Sequence, residues 1–396
     1  MNPLDAEPEA RYAALSAMQR TCPVHQLPGG TGYMAVSYPA VAAGLRSINA
    51  FGGSAAQDGL PEEDTTIAGI LEPRHLQIRR IINNVVSVHR SQQIGPYLAA
   101  FSRDLARAMI ARVSEGSPTV EAMGAFVEPI PPAAMARLLG FPEADSARYY
   151  EWGAGLGVNI AKAVTAGQSM ALRDAGPEMA SYVEERIAQR RAMPAEEWPN
   201  DALTRFLTTE VDGERLSDRA VVTQIMFAIG AGSDTTRNTL GSMLRRLAAD
   251  PDLYAEIVAD RTLIEPAIEE ALRVDSPAQF LVRRCLVPEF DLEGTQISSG
   301  DALFLSIGAA NRDPEKYPDP VSYDLRRDKL RDHLAFGTGP HTCPGASLAR
   351  LEMKIAINVW CDHVASFRLT DGYSWEHPRT GMLHGPARLF LDITPR

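Results

Sequence analysis

The chemistry of this chain is concentrated at Cys343. Pro340 and Pro344 bracket it, and Gly337, Gly339 and Gly345 surround it, in the stretch HLAFGTGPHTCPGASLARLEMKIAINVWCDHV. Helical periodicity starts near Ala346 and runs through Leu348, Leu351, Ile355 and Val359, so the cysteine closes a stiff turn that feeds a helix N-terminus. Unsatisfied backbone N–H groups and the positive end of a helix dipole favour a thiolate there. Three chemistries compete for such a sulfur. A nucleophilic cysteine needs an oriented base; His341 is near in sequence, but residues two apart in a tight loop need not point together, and no oriented third group is evident. Zinc needs paired Cys or His ligands in a metal-binding spacing, and Cys343 belongs to no CxxC pair. An axial thiolate on a haem iron needs one sulfur with N–H donors restraining its charge, and it fits best. Cys22, Cys285 and Cys361 stand in no such loop and read as small buried hydrophobes.

A second cluster interrupts a long helical pattern. Ser217 is a good N-cap, Asp218 suits a first turn and Asp250-Pro251 supplies a stop, which predicts a helix from Ser217 to Ala249. At about 1.5 Å per residue it is ~50 Å long, enough to cross a whole domain. Val221, Val222, Ile225, Met226, Ile229, Leu240, Met243, Leu244 and Leu247 make it apolar on several faces, so it is expected to be buried. Its centre, AIGAGSDTTRN, gathers Gly230, Gly232, Ser233, Asp234, Thr235 and Thr236. Each glycine costs a helix interior about 1 kcal/mol relative to alanine. Small residues there either let another helix cross closely or admit a large group beside a hydroxyl and a carboxylate that can pass protons. The residues alone leave both readings open.

These two features need a scaffold, and the rest of the chain describes one. Long helical patterns dominate, as from Gln92 to Ser114, where Ile94, Tyr97, Leu98, Phe101, Leu105, Met109 and Ile110 recur at helical spacing. Short strands are expected at Tyr33 to Val36, between Phe280 and Leu305, and as a pair around Arg388 to Ile393. No repeat, low-complexity tract or Gly/Ser-rich linker divides the 396 residues, so a single mainly helical domain over 1–396 with minor sheets is expected. With 45% apolar and 22% charged residues, disorder and a disulfide scaffold are excluded. The 39 Lys+Arg against 50 Asp+Glu give a net charge of −11, which argues against a general nucleic-acid binder. The N-terminal MNPLDAEPEARYAALSAMQR lacks the apolar core of a signal peptide, and no apolar run approaches the ~18 residues of a membrane span. A cytoplasmic protein without membrane insertion is the expectation, consistent with four cysteines and no CxxC pair.

Taken together, the motifs resemble those of the cytochrome P-450 family of haem-thiolate monooxygenases. Phe336-Gly337-x-Gly339-x-His341-x-Cys343-x-Gly345 is similar to the haem-binding signature, and Ala231-Gly232-Ser233-Asp234-Thr235-Thr236 to the oxygen-activation motif. Glu270-Ala-Leu-Arg273 matches the ExxR pair, and AANRDPEKYPDPVSYDL resembles the segment between that pair and the cysteine loop. The four occur in the family's order, and the resemblance covers essentially the whole chain. It implies a mainly α fold with small β-sheets, the haem lying between the long central helix and the cysteine-loop helix. Cys343 would be the iron's proximal ligand, and Asp234 and Thr235 the acid–alcohol pair that organises water and delivers protons to dioxygen. Glu270 and Arg273, three apart and so on one helix face, would form a buried ion pair completed by Arg327. Haem b carries two propionates, for which the resemblance implies His75, Arg79, Arg283 and His341. The chain departs from the family at Thr342, where a bulkier or basic residue is frequent, and at Pro344, where an aliphatic one is more usual. Proline removes one N–H donor near the sulfur.

The resemblance also implies a substrate pocket lined by Ile70, Leu71, Phe227, Ala228, Ala231, Gly232, Phe280, Leu281, Val282, Met382 and Leu383, with Gln279 nearby. Nearly all are apolar, which suits a small hydrophobic molecule such as a terpenoid, steroid or aromatic, to be hydroxylated or otherwise oxidised. Tyr149 to Gly167 is expected to belong to a mobile lid, its glycines serving either flexibility or close packing. No GxGxxG opens a helix after a strand, so electrons, ultimately from NAD(P)H, are expected from a ferredoxin and its ferredoxin reductase. Arg79, Arg80, Lys329, Arg331, Arg350 and Lys354, which flank the cysteine loop, could form the cationic surface for an acidic ferredoxin. The alternatives are a peroxide-driven haem enzyme and a non-catalytic haem ligand-binding or sensor protein; a cysteine hydrolase is more remote.

Overall fold

The computed structural model describes residues 8–53, 57, 59–114, 118–165, 168–211, 213–376 and 382–396. Helix α1 spans Pro8–Gln19, and the N-terminal strands β1 (Val24–Gln26), β2 (Tyr33–Ala35) and β3 (Phe51–Gly52) enclose α2 (Tyr38–Arg46). Next come α3 (Arg74–Val85), α4 (Val88–Ser114), β4 (Thr119–Glu121), α5 (Ile130–Leu139), α6 (Ser146–Thr165), α7 (Leu172–Ala175), α8 (Pro177–Ala192), α9 (Ala202–Thr208) and the short strands β5 (Glu210–Val211) and β6 (Glu214–Arg215). The long helix α10 (Asp218–Ala249) is followed by α11 (Pro251–Ala259) and α12 (Ile264–Val274). The second half holds β7 (Phe280–Cys285), β8 (Glu289–Leu292), β9 (Thr295–Ser298), β10 (Ala302–Ser306), α13 (Ile307–Ala310), α14 (Ala346–His363), β11 (Val364–Leu369) and β12 (Phe390–Pro395).

Local chemistry sets these boundaries. Ser217 caps α10 by accepting the Ala220 N–H, and Asp250, accepting from Leu253 N–H, starts α11 as α10 stops. Glu293 and Gly294, both at positive φ, turn β8 into β9 with Leu292 opposite Thr295, the geometry a two-residue hairpin requires. One sheet runs β1-β2-β10-β7-β3, with β10 parallel to β2 and antiparallel to β7; another runs β11-β12-β4. The strand expected as half of a local pair near Arg388 instead finds partners far away, Phe367 opposite Ile393 and Val120 opposite Leu391.

Helix α10 is the axis of the core. Its first half packs into one apolar cluster with Val183, Phe206 and Leu207; its second half packs into another with Phe126, Trp360 and Phe367. Trp360 is fully buried, its ring 5.2 Å from Phe126 and 5.3 Å from Phe367. Truncating such a side chain costs about 3–5 kcal/mol. The segment expected as a mobile lid is the helix α6, and its last two residues, 166 and 167, lie outside the described residues. A Cβ on Gly153 would stand 3.6 Å from the Gly230 Cα, so this glycine serves close packing of α6 on α10. Among the described residues no helix is long and apolar enough to cross a membrane.

Candidate active site

The loop before α14 presents Cys343 to an internal cavity. The Cys343 N–H donates to Phe336 O at 2.8 Å and the Thr342 N–H to Gly339 O at 3.0 Å, which fold the loop back on itself. Gly339 has φ +76°, which favours glycine, and a Cβ there would press to 3.3 Å from the Arg46 Cα. The N–H groups of Gly345 and Ala346, at the start of α14, point at the sulfur. Burial nevertheless pushes the thiol pKa up, against those donors and the charges of Arg79 and Arg350. The helix end expected to favour a thiolate is therefore outweighed in the protein alone, and a cation at the cavity side of the sulfur would complete the charge balance.

Helix α10 forms the opposite wall. Phe227, Ala228, Ala231, Gly232 and Thr235 line the cavity together with Cys343. Thr235 Oγ1 donates to Ala231 O at 2.9 Å, which turns its lone pairs outward from the helix. Asp234 is not among the lining residues, because one residue along a helix turns the side chain by about 100°. Its electrostatic neighbours are Arg237, Glu128 and Tyr150. Burial raises its carboxyl to about 6, with Arg237 opposing and Glu128 reinforcing the shift. Arg237 is buried and donates through Nε to Glu128 Oε1 at 2.9 Å and through Nη2 to Ala387 O at 2.9 Å.

Between these walls lies a ring of nitrogen-bearing side chains. His75, Arg79, Arg283 and His341 all line the cavity. The His75 and His341 rings stack with centroids 3.9 Å apart. His75 Nδ1 meets Glu72 Oε1 at 2.8 Å, which leaves Nε2 buried with no hydrogen-bond partner. Arg79 donates to Asn83 Oδ1 and Thr342 O, and Arg283 to Val282 O at 3.2 Å; neither meets a carboxylate among the described residues. Burial pushes both guanidinium pKa values down, and burial with the charges of His75, Arg283 and Arg79 drives His341 down to about 3.

The Glu270–Arg273 pair is fully buried and bidentate, Nε to Oε2 at 2.8 Å and Nη2 to Oε1 at 2.7 Å. Arg327 Nε reaches Glu270 Oε1 at 3.1 Å, as the motif order led us to expect. Arg273 also donates to the carbonyls of Asn311, Pro320 and Ser322. The pair thus fastens α12 to the irregular chain that leads towards the cysteine loop.

The chain matches the sequence profile of the cytochrome P450 family over residues 158–360. It is 33% identical over 285 residues to the cytochrome P450 monooxygenase PikC of Streptomyces venezuelae, covering 72% of this chain and 65% of that protein. It is 30% identical over 311 residues to the biotin biosynthesis cytochrome P450 of Bacillus subtilis, covering 77% and 74%. The structure of cytochrome P450 CYP109Q5 from Chondromyces apiculatus superposes with TM-score 0.84 at 26% identity over 98% of this chain and 97% of that one. The chain belongs to the cytochrome P450 family. In class it is a cytochrome P450 monooxygenase with the P450 fold, and the expectation from its motifs is borne out on these points.

A P450 carries haem, and the residues present fit it. The ring supplies one orphaned buried imidazole nitrogen and two guanidinium groups that meet no carboxylate among the described residues, a donor set whose chemistry suits the two carboxylates of a porphyrin edge. Phe336, Gly337, Cys343 and Gly345 line the same cavity, next to the sulfur.

The pocket expectation needs correction at six positions that lie outside the lining. Strand β7 alternates: Leu281 and Arg283 face the cavity, whereas Phe280 and Val282 face away, Phe280 packing with Leu15 and Met34. Ile70 is buried in the core and Leu71 is 48% exposed; Ile67 and Ala68, three residues earlier, supply that wall instead. Met382 packs beside Phe280, and Leu383 bridges to Ala278 through its backbone. The sequence reading also missed Gln224, Met135 and Glu352, which line the P450 cavity. Glu352 is fully buried, with Oε2 lacking a partner, and burial holds its carboxyl well above the usual range. Gln224 is a polar residue within the apolar run from Val221 to Ile229, the one signal that could have exposed it, whereas Glu352, between Arg350 and Lys354, carries no such signal.

The cations flanking the cysteine loop are largely paired. Arg350 holds Glu269 through Nε at 2.6 Å and Nη2 at 2.8 Å, Lys354 meets Glu265 at 2.6 Å, and Arg331 lies 3.7 Å from Glu265. Burial pushes Glu269 up, but Arg350 and His333 hold it down to about 2. Arg80 and Lys329 are exposed, while Arg79 belongs to the cavity.

Proposed function

We propose that this P450, as a single domain over 1–396, binds haem b through Cys343 and oxidises a small hydrophobic molecule with dioxygen and two externally supplied electrons. The observation that carries the reading is the placement of Cys343 and Thr235 on one largely apolar cavity, beside a ring of His75, Arg79, Arg283 and His341 in which neither guanidinium meets a carboxylate among the described residues. In this reading the ring holds the propionates, and the N–H groups of Gly345 and Ala346 temper the sulfur's charge. Haem, when bound, supplies the redox chemistry by which dioxygen is activated. Phe227, Ala228, Ala231 and Leu281 exclude water and hold an apolar substrate, and Gly232 makes room for Met135, whose Sδ would lie 3.1 Å from a Cβ there. Thr235 holds a proton at its Oγ1, and Asp234, with a carboxyl near neutrality, resupplies it from the Arg237–Glu128 side.

Electrons from NAD(P)H reach the protein through a ferredoxin and its reductase in this proposal, and the acidic chain works in the cytoplasm. The macrolide, steroid and fatty-acid ligands named for other P450 structures, such as erythromycin B, testosterone and hexadec-9Z-enoic acid, agree in being largely hydrophobic. Carbon monoxide added to the reduced protein tests the reading. A strongly red-shifted Soret band that disappears in Cys343→His supports thiolate ligation, and its absence from the wild type overturns it. Screening hydrophobic compounds for a spin-state shift, with mass spectrometry of turnover products, then identifies the substrate.

A further inference from the structure

We infer that Gln224 is a positioning residue that latches the Thr65–Ala68 wall of the cavity to α10 and so limits the size of ligand admitted. The inference rests on the cavity being the substrate chamber proposed above. No helix or strand passes through residues 65–70; turns satisfy part of its backbone, the Gly69 and Ile70 N–H groups donating to Thr66 O at 2.8 and 3.1 Å, whereas the Ile67 N–H and the Thr65 carbonyl find their partners on α10. Gln224, 1% exposed, provides two of them: Oε1 accepts the Ile67 N–H at 2.9 Å, and Nε2 donates to Thr65 O at 2.9 Å. Ile67 and Ala68 line the cavity, and so does Gln224. Each polar end of the carboxamide is thus held by the loop, one as acceptor and one as donor.

Three neighbours fasten the adjoining residues along the same edge. Ser217 Oγ donates to Glu63 Oε2 at 3.0 Å, Arg219 to both carboxylate oxygens of Asp64, and Thr223 Oγ1 to Glu63 O at 2.8 Å. None of these lines the cavity. They hold the outer rim, whereas Gln224 holds the wall itself. The pattern also explains the residue type. A glutamine offers one donor face and one acceptor face at the right length. Glutamate would accept from Ile67 but set a carboxylate against the Thr65 carbonyl; leucine would satisfy neither group.

The test uses ferric holoenzyme as wild type, Gln224→Leu, Gln224→Glu and Thr223→Val. Hydrogen exchange is followed in peptides covering 65–70 and the second half of α10. Imidazole and clotrimazole are titrated by their absorption shifts, as small and bulky ligands. The latch predicts that Gln224→Leu raises exchange at 65–70 and shifts the affinity ratio about tenfold towards clotrimazole, with Gln224→Glu between and Thr223→Val close to wild type. Exchange that rises evenly through the protein, or an unchanged ratio, overturns it. If Gln224→Leu takes up no haem, Gln224→Asn, one methylene too short to span both groups, carries the same test. A wild type that binds neither haem nor azole would instead count against the proposed function, leaving the exchange measurement on the full chain to decide the latch.

Discussion

The imidazoles of His75 and His341 stack with their centroids 3.9 Å apart and their planes inclined by 29°. Glu72 engages one nitrogen of His75, and the other is left buried and unmet. With Arg79 and Arg283 lining the same cavity, this arrangement is a receptor for anionic groups from inside the molecule. His75→Phe keeps the stack and removes the free nitrogen, and Arg283→Leu removes an uncompensated charge. Each lost charge-assisted hydrogen bond is worth about 1.5–3 kcal/mol, so haem release to apomyoglobin should accelerate about 10- to 100-fold in either variant. Unchanged release rates would show that the ring does not hold the propionates.

Asp234 gives a pH signature. Its carboxyl sits at about 6 in the folded protein, raised by burial, against about 3.9 for an ordinary aspartate. The folded state binds the proton more tightly, so this residue's contribution is favourable below about pH 4 and is lost as pH rises through about 6. Asp234→Asn abolishes that loss. Urea unfolding should find the variant more stable than wild type at pH 8, by on the order of 1–3 kcal/mol, with the gap narrowing towards pH 5. Parallel pH profiles would refute the assignment.

The buried ion pair predicts unequal losses. Arg273→Leu leaves Glu270 with Arg327 and the Asp324 N–H on one oxygen, takes the partner from the other and strands three carbonyls, and should cost about 3–5 kcal/mol in chemical denaturation. Arg327→Leu leaves Glu270 still bonded to Arg273 and to the Asp324 N–H, so a smaller loss, about 1–2 kcal/mol, is expected. Equal costs would place the two arginines on the same footing, contrary to their contacts.

On the face beside the cysteine loop, Glu265 neutralises Lys354 and lies near Arg331. Glu265→Gln should therefore quicken reduction by an acidic ferredoxin in stopped-flow, and Lys354→Glu should slow it. Both effects should fade at ~1 M salt, where the screening length falls to ~3 Å. Rates insensitive to both substitutions at low salt would move the electron-donor surface elsewhere.

Much of the site could be read from the chain because its parts are local. Cys343 and the start of α14, the Glu270–Arg273 spacing, and the caps of α10 all act over a few residues, and the structure places them as expected. Arg327 came with its motif. The cavity walls were harder. Phe280 and Val282 were misassigned because hydrophobicity alone does not reveal which face of β7 looks inward. Ile70 and Leu71 were chosen over Ile67 and Ala68 because the path of that loop is set by side chains on α10 more than 150 residues away. Asp234 and Thr235 are adjacent in sequence, yet helical rotation parts them, and only Thr235 meets the cavity. The cationic surface was read from charge without the acids of α12 that pair with it.

One unbroken helix carries Gln224, the apolar wall from Phe227 to Gly232, and Thr235. Eleven residues separate the glutamine from the threonine, three turns to within about 20°. Inserting or deleting a single residue between them would swing one end about 100° relative to the other. Side chains along this rod can be exchanged to suit new molecules, but the number of residues in it cannot change without aiming the threonine away from where it is needed.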